Sequence, residues 1–199
     1  MTRLSKVPVE KWDPELRALT QADATTTPLE QGMSRVLAHS PGVAKAVVMF
    51  GASLYQSSRL PRRLIELVRL RVAFHNQCRT CMALRYQSAI NDGLTEDLVC
   101  SLEKPLEAPD LSAREKAAIA HADISSTNHF AINDQTYDDL RQHFTEAEIV
   151  ELSAFIAYFI GFGRLGAAMD MTEELPASSR DEDGRDAPWS QQSPIVLGW

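Results

Sequence analysis

The chain has 199 residues, 44% hydrophobic and 24% charged, which allows a sizeable core and fits one domain with tails. A formal net charge of -7 leaves no basic face for phosphate, so nucleic acid is excluded as an expected partner. Three cysteines are too few for a disulfide scaffold, and a close pair among them points to redox chemistry or a metal.

The first residues, 1–13, lack the basic-then-apolar pattern of a secretory signal, so a cytoplasmic location with reduced cysteines is expected. Residues 1–24 read as an N-terminal extension carrying one helix start, Asp13-Pro14-Glu15. Further starts follow at Thr27-Pro28-x-Glu30, Ser40-Pro41, Ser112-x-x-Glu115 and Thr145-x-x-Glu148, each an oxygen cap or capping box before apolar residues. Runs at 43–54, 64–74, 82–90, 95–102 and 117–124 place apolar residues three and four apart. No period-two strand stands out, so the fold class is all-α, with 105–110 as a connector between two groups of helices.

The segment 149–171 is apolar enough to suggest a membrane span, but Glu151, Arg164 and Asp170 favour a buried or subunit-facing helix, and no membrane partner is expected. Gly161, Gly163, Gly166, Ala167 and Ala168 would admit a close neighbouring helix or mark a bend. Residues 173–199 read as a polar, exposed tail, rich in charge around Ser179, Arg180, Asp181, Glu182 and Asp183. Its last residues, 194–199, are apolar enough to dock, for example on a neighbouring subunit.

The chemistry concentrates between Glu66 and Arg85. Asn76-Gln77 reads as a break between helices, with a new helix starting near Cys78, where unpaired backbone N–H groups favour a thiolate. On a continuous helix Cys78, Cys81 and Arg85 share one face, so the pair can close a disulfide and Arg85 can reach back to the sulfurs. An arginine cannot accept their proton, which leaves Glu66 and His75 as the nearby bases.

A glutamate, a Cys-x-x-Cys twelve residues later and a polar side chain four residues beyond, here Glu66, Cys78, Cys81 and Arg85, resemble the AhpD-like signature of the carboxymuconolactone decarboxylase family. The resemblance runs over 25–172 and includes the stretch from Phe144 through Glu148 to Glu151. It implies an AhpD-like helical bundle assembled as a homotrimer or homohexamer. It also implies alkylhydroperoxidase or thiol-disulfide activity toward a small hydroperoxide, with a reducing dithiol or thiol-redox protein closing the cycle. In such members the second cysteine attacks the peroxide, which assigns attack to Cys81 and resolution to Cys78, whereas helix-end physics favours Cys78. Their fourth position is histidine; with Arg85 there, either Glu66 works through water with Arg85 as electrostatic support, or His75 substitutes as base.

Plainer readings stand beside these. Glu66 can pair with Arg62 or Arg69 on its own helix, and His75 can be a helix-end dipole partner. Half a zinc site would need His75 with His121 or His129; His39 and His143 suggest no ligand set, and Cys100 reads as core. A cofactor-free decarboxylase and a redox-sensing oligomeric binding protein are the alternative functions. No cofactor or metal is expected, since no glycine-rich phosphate loop or Cys-x-x-Cys-His occurs.

Overall fold

Most of the expected helix starts carry their caps in the computed structural model, which describes residues 2–180, 186–191 and 194–198. Asp13 accepts the N–H groups of Glu15 and Leu16 at 3.0 and 3.2 Å at the head of α1 (Pro14–Thr20). Thr27 and Glu30 close a capping box on α2 (Pro28–Gln31), which is followed by α3 (Ser34–Leu37) and α4 (Pro41–Ser57). The chain divides into two units, the first running to Ser57 and taking in Met169–Glu174.

In that first unit α1 and α3 pack on α4. The buried Arg35 grips both carboxylate oxygens of Glu174 at 2.6 and 2.9 Å, and Lys6 adds a third contact at 2.6 Å. A bidentate pair of this kind fixes direction as well as position. Although α4 is strongly apolar, it buries only Ala44 and Gly51, and Val43, Met49 and Phe50 stand exposed.

The second unit comprises Ser58–Ala168 and the described residues from Leu175 onward. Its elements are α5 (Arg62–Asn76), α6 (Arg79–Ala83), β1 (Leu84–Tyr86), α7 (Gln87–Asn91), α8 (Glu96–Cys100), α9 (Ala113–Thr127), α10 (Asp134–Arg141), α11 (Glu146–Met169) and β2 (Ile195–Leu197). Ser112 with Glu115 boxes α9, and Thr145 with Glu148 does the same for α11. Leu67, Leu70, Leu94, Val99, Leu102 and Ile119 form a core between α5, α8 and α9. Removing that much apolar surface from water is the main favourable term of the unit.

α11 is long and apolar enough to cross a membrane by length and composition. Phe155, Ile156 and Phe159 are buried, and Asn76 at the end of α5 donates to the carbonyl of Phe159 at 2.9 Å. Gly163 makes this approach feasible, because a Cβ there would lie 2.6 Å from the Asn76 amide nitrogen. The expected close contact of small residues is therefore real at this position.

Three sequence expectations are corrected. The fold is mostly helical, as expected, but the expectation of no strand fails: Leu84, Arg85 and Tyr86 pair in parallel with Ile195, Val196 and Leu197. Two three-residue strands joined over the whole C-terminal half carry no hairpin signal and too little alternation to be read locally. The tail is not simply exposed: Ala187, Pro188 and Leu197 are buried and Trp189 packs against the core, while Asp181, Glu182, Asp183 and Trp199 lie outside the described residues. Cys100, expected in the core, is exposed at the end of α8, because Leu98, Val99 and Leu102 take the inward positions.

Candidate active site

The break expected at Asn76-Gln77 is present. Gln77 adopts a left-handed conformation, φ 49°, and its side-chain amide donates to the carbonyl of Phe74 at 2.7 Å, ending α5. Cys78 becomes the N-cap of α6, its sulfur accepting the Cys81 N–H at 3.4 Å. Cys78 and Cys81 are joined by a disulfide, with Cα atoms 5.2 Å apart. Cys78 is 3% exposed, whereas Cys81 is only half-buried, so a solvent-borne reagent meets Cys81 first.

Glu66 and Arg69 lie one turn apart on the buried side of α5. Arg69 holds both oxygens of Glu66, Nε to Oε2 at 2.6 Å and Nη2 to Oε1 at 2.7 Å. Its remaining donors reach the cysteine turn, Nη1 to the carbonyl of Cys81 at 2.7 Å and Nη2 to that of Leu84 at 2.8 Å. The guanidinium also lies over the ring of Tyr86, 4.8 Å from its centroid. Burial pushes the Tyr86 phenol up; the Arg69 charge opposes that and the Glu66 charge adds to it. Of the two partners weighed for Glu66, Arg69 makes the observed fork, and one guanidinium thereby ties the carboxylate to the backbone of the second cysteine.

Arg85 is not on a helical face with the cysteines, because α6 ends at Ala83 and Arg85 sits in β1. Its side chain, 1% exposed, donates to the carbonyls of Met82, Leu84 and Pro188 at 2.8, 3.0 and 2.9 Å and forks to Glu96 at 3.0 Å on both oxygens. These partners are all oxygens of Met82, Leu84, Glu96 and Pro188. A buried guanidinium needs this many acceptors, and here α6, β1, α8 and the C-terminal segment each supply some of them.

His75 is likewise engaged elsewhere. Its Nε2 lies 2.6 Å from Oδ1 of Asp123 on α9, and Arg71 forks to the same carboxylate at 2.6 and 3.1 Å. Burial pushes the Asp123 carboxyl up, but His75 and Arg71 together hold it below its ordinary range. His121 is buried against Ser153 at 3.2 Å, and burial lowers its pKa; His129 stacks on Phe130 at 4.1 Å. His75, His121 and His129 thus have separate partners, and among the described residues no group of three or more His, Cys, Asp or Glu side chains could hold a metal.

The structure therefore brings Glu66, Cys78 and Cys81 together around Arg69, and turns Arg85 and His75 to other partners. The sequence reading underrated Arg69, whose signal was its spacing of three from Glu66. Tyr86 carried no signal, since its position depends on the chain leaving the helix at Leu84.

Comparison with known proteins places the chain among relatives of one fold. Residues 41–123, from α4 to Asp123 of α9, match the model of the carboxymuconolactone decarboxylase family. An uncharacterized protein of Mycobacterium tuberculosis is 38% identical over 90 residues, 44% of this chain and 31% of that protein, so the chain spans about a third of that relative. The uncharacterized protein YdfG of Bacillus subtilis is 28% identical over 115 residues, 57% of this chain and 78% of its own. A solved protein of unknown function from Agrobacterium tumefaciens, described as a candidate AhpD antioxidant defence protein, superposes with TM-score 0.60 at 26% identity, covering 68% of this chain and 92% of that one. An uncharacterized peroxidase-related protein of Ralstonia eutropha with an alkylhydroperoxidase AhpD core covers 90% of this chain and 97% of its own, with TM-score 0.70 at 19% identity. The debrominase Bmp8 covers 90% and 95% with TM-score 0.71 at 18% identity; these last two show a shared fold.

Proposed function

Starting from carboxymuconolactone decarboxylase family sequence at residues 41–123, we propose that this chain is a thiol-dependent oxidoreductase that reduces small hydroperoxides through Cys78 and Cys81. The observation that carries the reading is the bonded pair itself, Cys78 buried with its sulfur capping α6 and Cys81 half-buried beside a buried carboxylate–guanidinium fork. A structural staple has no need of an accessible member.

In the reduced protein the Cys81 thiolate attacks the outer oxygen of the hydroperoxide. The O–O bond breaks, Cys81 becomes a sulfenic acid, and the alkoxide leaves to take up a proton as the alcohol. The Cys78 thiol then displaces hydroxide from that sulfur, giving the disulfide and water. An external dithiol or a thiol-redox protein supplies two electrons and two protons to restore both thiols, leaving as its own disulfide. Glu66 receives the Cys81 proton through water and returns it to the alkoxide, while Arg69 holds the carboxylate fixed toward the turn through the Cys81 carbonyl. Arg85 and His75 have no proton-transfer part in this scheme. Assembly into trimers or hexamers and a cytoplasmic setting belong to the same proposal.

The test is hydroperoxide-dependent thiol loss in the reduced protein, with mass spectrometry locating the product. The expected result is one Cys78–Cys81 disulfide per peroxide reduced. Cys78→Ser should arrest the reaction at a trappable sulfenic acid on Cys81, and Cys81→Ser should yield none. Thiols indifferent to peroxide, or a sulfenic acid on Cys78, would overturn the reading or its assignment of attack respectively.

A further inference from the structure

The C-terminal segment is fastened largely by residues that bracket the cysteine pair. Gln77, just before Cys78, donates to the carbonyl of Asp186 at 3.1 Å. Arg79, between the cysteines, donates to the carbonyl of Arg180 at 2.8 Å. After Cys81, Arg85 donates to Pro188, and β1 pairs with β2 along its whole length. The same segment seats Trp189 on Phe74, ring centroids 4.7 Å apart, and against the core of α5, α8 and α9. The turn that carries the redox chemistry is thus also the hitching point of a strap.

We propose that Arg85 is a positioning residue that couples docking of this strap, residues 186–191 and 194–198, to the redox state of Cys78 and Cys81, the strap seating more tightly on the disulfide than on the dithiol. The inference rests on the redox reading of the pair. Reduction by an external dithiol, which departs as its disulfide, replaces the S–S bond with two thiols. The sulfurs then separate to nonbonded contact, and the short turn bearing Gln77, Arg79 and β1 loses its covalent brace. Arg85 is the link between turn and strap because one side chain holds the carbonyls of Met82 and Leu84 on one side and that of Pro188 on the other. Linkage makes the effect reciprocal: whatever factor reduction takes from strap docking, loosening the strap must give to reduction of the pair.

Two measurements on the full chain test this. Hydrogen exchange of the Ile195–Leu197 amides is compared in the oxidised and reduced protein, and the ratio of reduced to oxidised dithiothreitol that half-reduces the pair is compared between wild type and variants. Exchange should quicken on reduction by about fivefold or more, the low end of ordinary coupling between sites. Arg85→Gln should lower the half-reducing dithiothreitol ratio by a comparable factor. Val196→Pro, which strikes the β1–β2 ladder at an exposed side chain and leaves Arg85 intact, should shift it the same way. Exchange unchanged by reduction, or half-reduction ratios within about twofold of wild type in both variants, would overturn the coupling while leaving the thiol chemistry standing. A pair that no dithiothreitol ratio moves would overturn both.

Discussion

Two of the ion-pair clusters on α5 differ in what they are wired to. Glu66 and Arg69 are buried, and Arg69 reaches the carbonyls of Cys81 and Leu84. Arg71 and His75 are half-buried and converge on Asp123 of α9, with Arg71 5.8 Å from the Trp189 ring and hydrogen bonded to the carbonyl of Leu102. His75 is three residues from Cys78 and yet belongs to the second cluster; Arg69 is nine residues away and belongs to the first. Nearness in sequence to the cysteine pair is therefore a poor guide to contact with it, because helix phase decides which neighbour a side chain meets.

The comparison breaks if the two clusters respond alike. Glu66→Ala leaves the Arg69 charge buried without its counter-ion and should cost about 3–5 kcal/mol in chemical denaturation, with peroxide-dependent thiol loss falling as well. Gly163→Ala should cost about 1–2 kcal/mol, because the new methyl displaces the Asn76 amide from the Phe159 carbonyl at the foot of α5. His75→Ala should cost only about 1 kcal/mol and leave thiol loss unchanged, since Arg71 still holds Asp123. A loss of thiol reactivity in that variant would return His75 to the chemistry. Gly161→Ala, with open space around the new methyl, should stabilise by about 0.5–1 kcal/mol on helix propensity alone.

The pH dependence sharpens the contrast further. Burial lowers the pKa of His121, so between that lowered value and about 6.5 the unfolded chain binds the proton that the folded one refuses. Stability from this group is complete above about pH 6.5 and falls as pH drops toward the folded value. Thermal melts should show the decline, and His121→Gln should flatten it. Asp123, held below its ordinary range, acts in a lower window: its contribution is present above about pH 4 and is lost as pH falls through the folded value. Asp123→Asn should remove that part.

Much of the helical layout was legible because caps and apolar spacing are local. Thr27 with Glu30 and Ser112 with Glu115 are complete signals within four residues, and each sits at a helix start. The cysteine pair and Glu66 were legible for a similar reason, their spacing being a property of one helix and the turn after it. Arg85 was misplaced because continuing the helix past Ala83 was the natural extrapolation, and only the partner strand at Ile195–Leu197 stops it. The buried Pro188 and the seated Trp189 were hidden by a composition that reads as solvent-loving. Composition reports an average, whereas docking needs only a few apolar side chains at the right intervals.

The parallel ladder has a consequence for biosynthesis. Leu84 finds its partner only when Ile195, far along the chain, has left the ribosome. Helices α5 and α6 can form while the chain is still being made, since their bonds are local, but the frame around the two sulfurs must wait until residues 195–197 emerge. Until residues 195–197 are made, the nascent chain carries both sulfurs without their final enclosure. Whatever oxidants or thiols the nascent chain meets in that interval act on an unfinished turn.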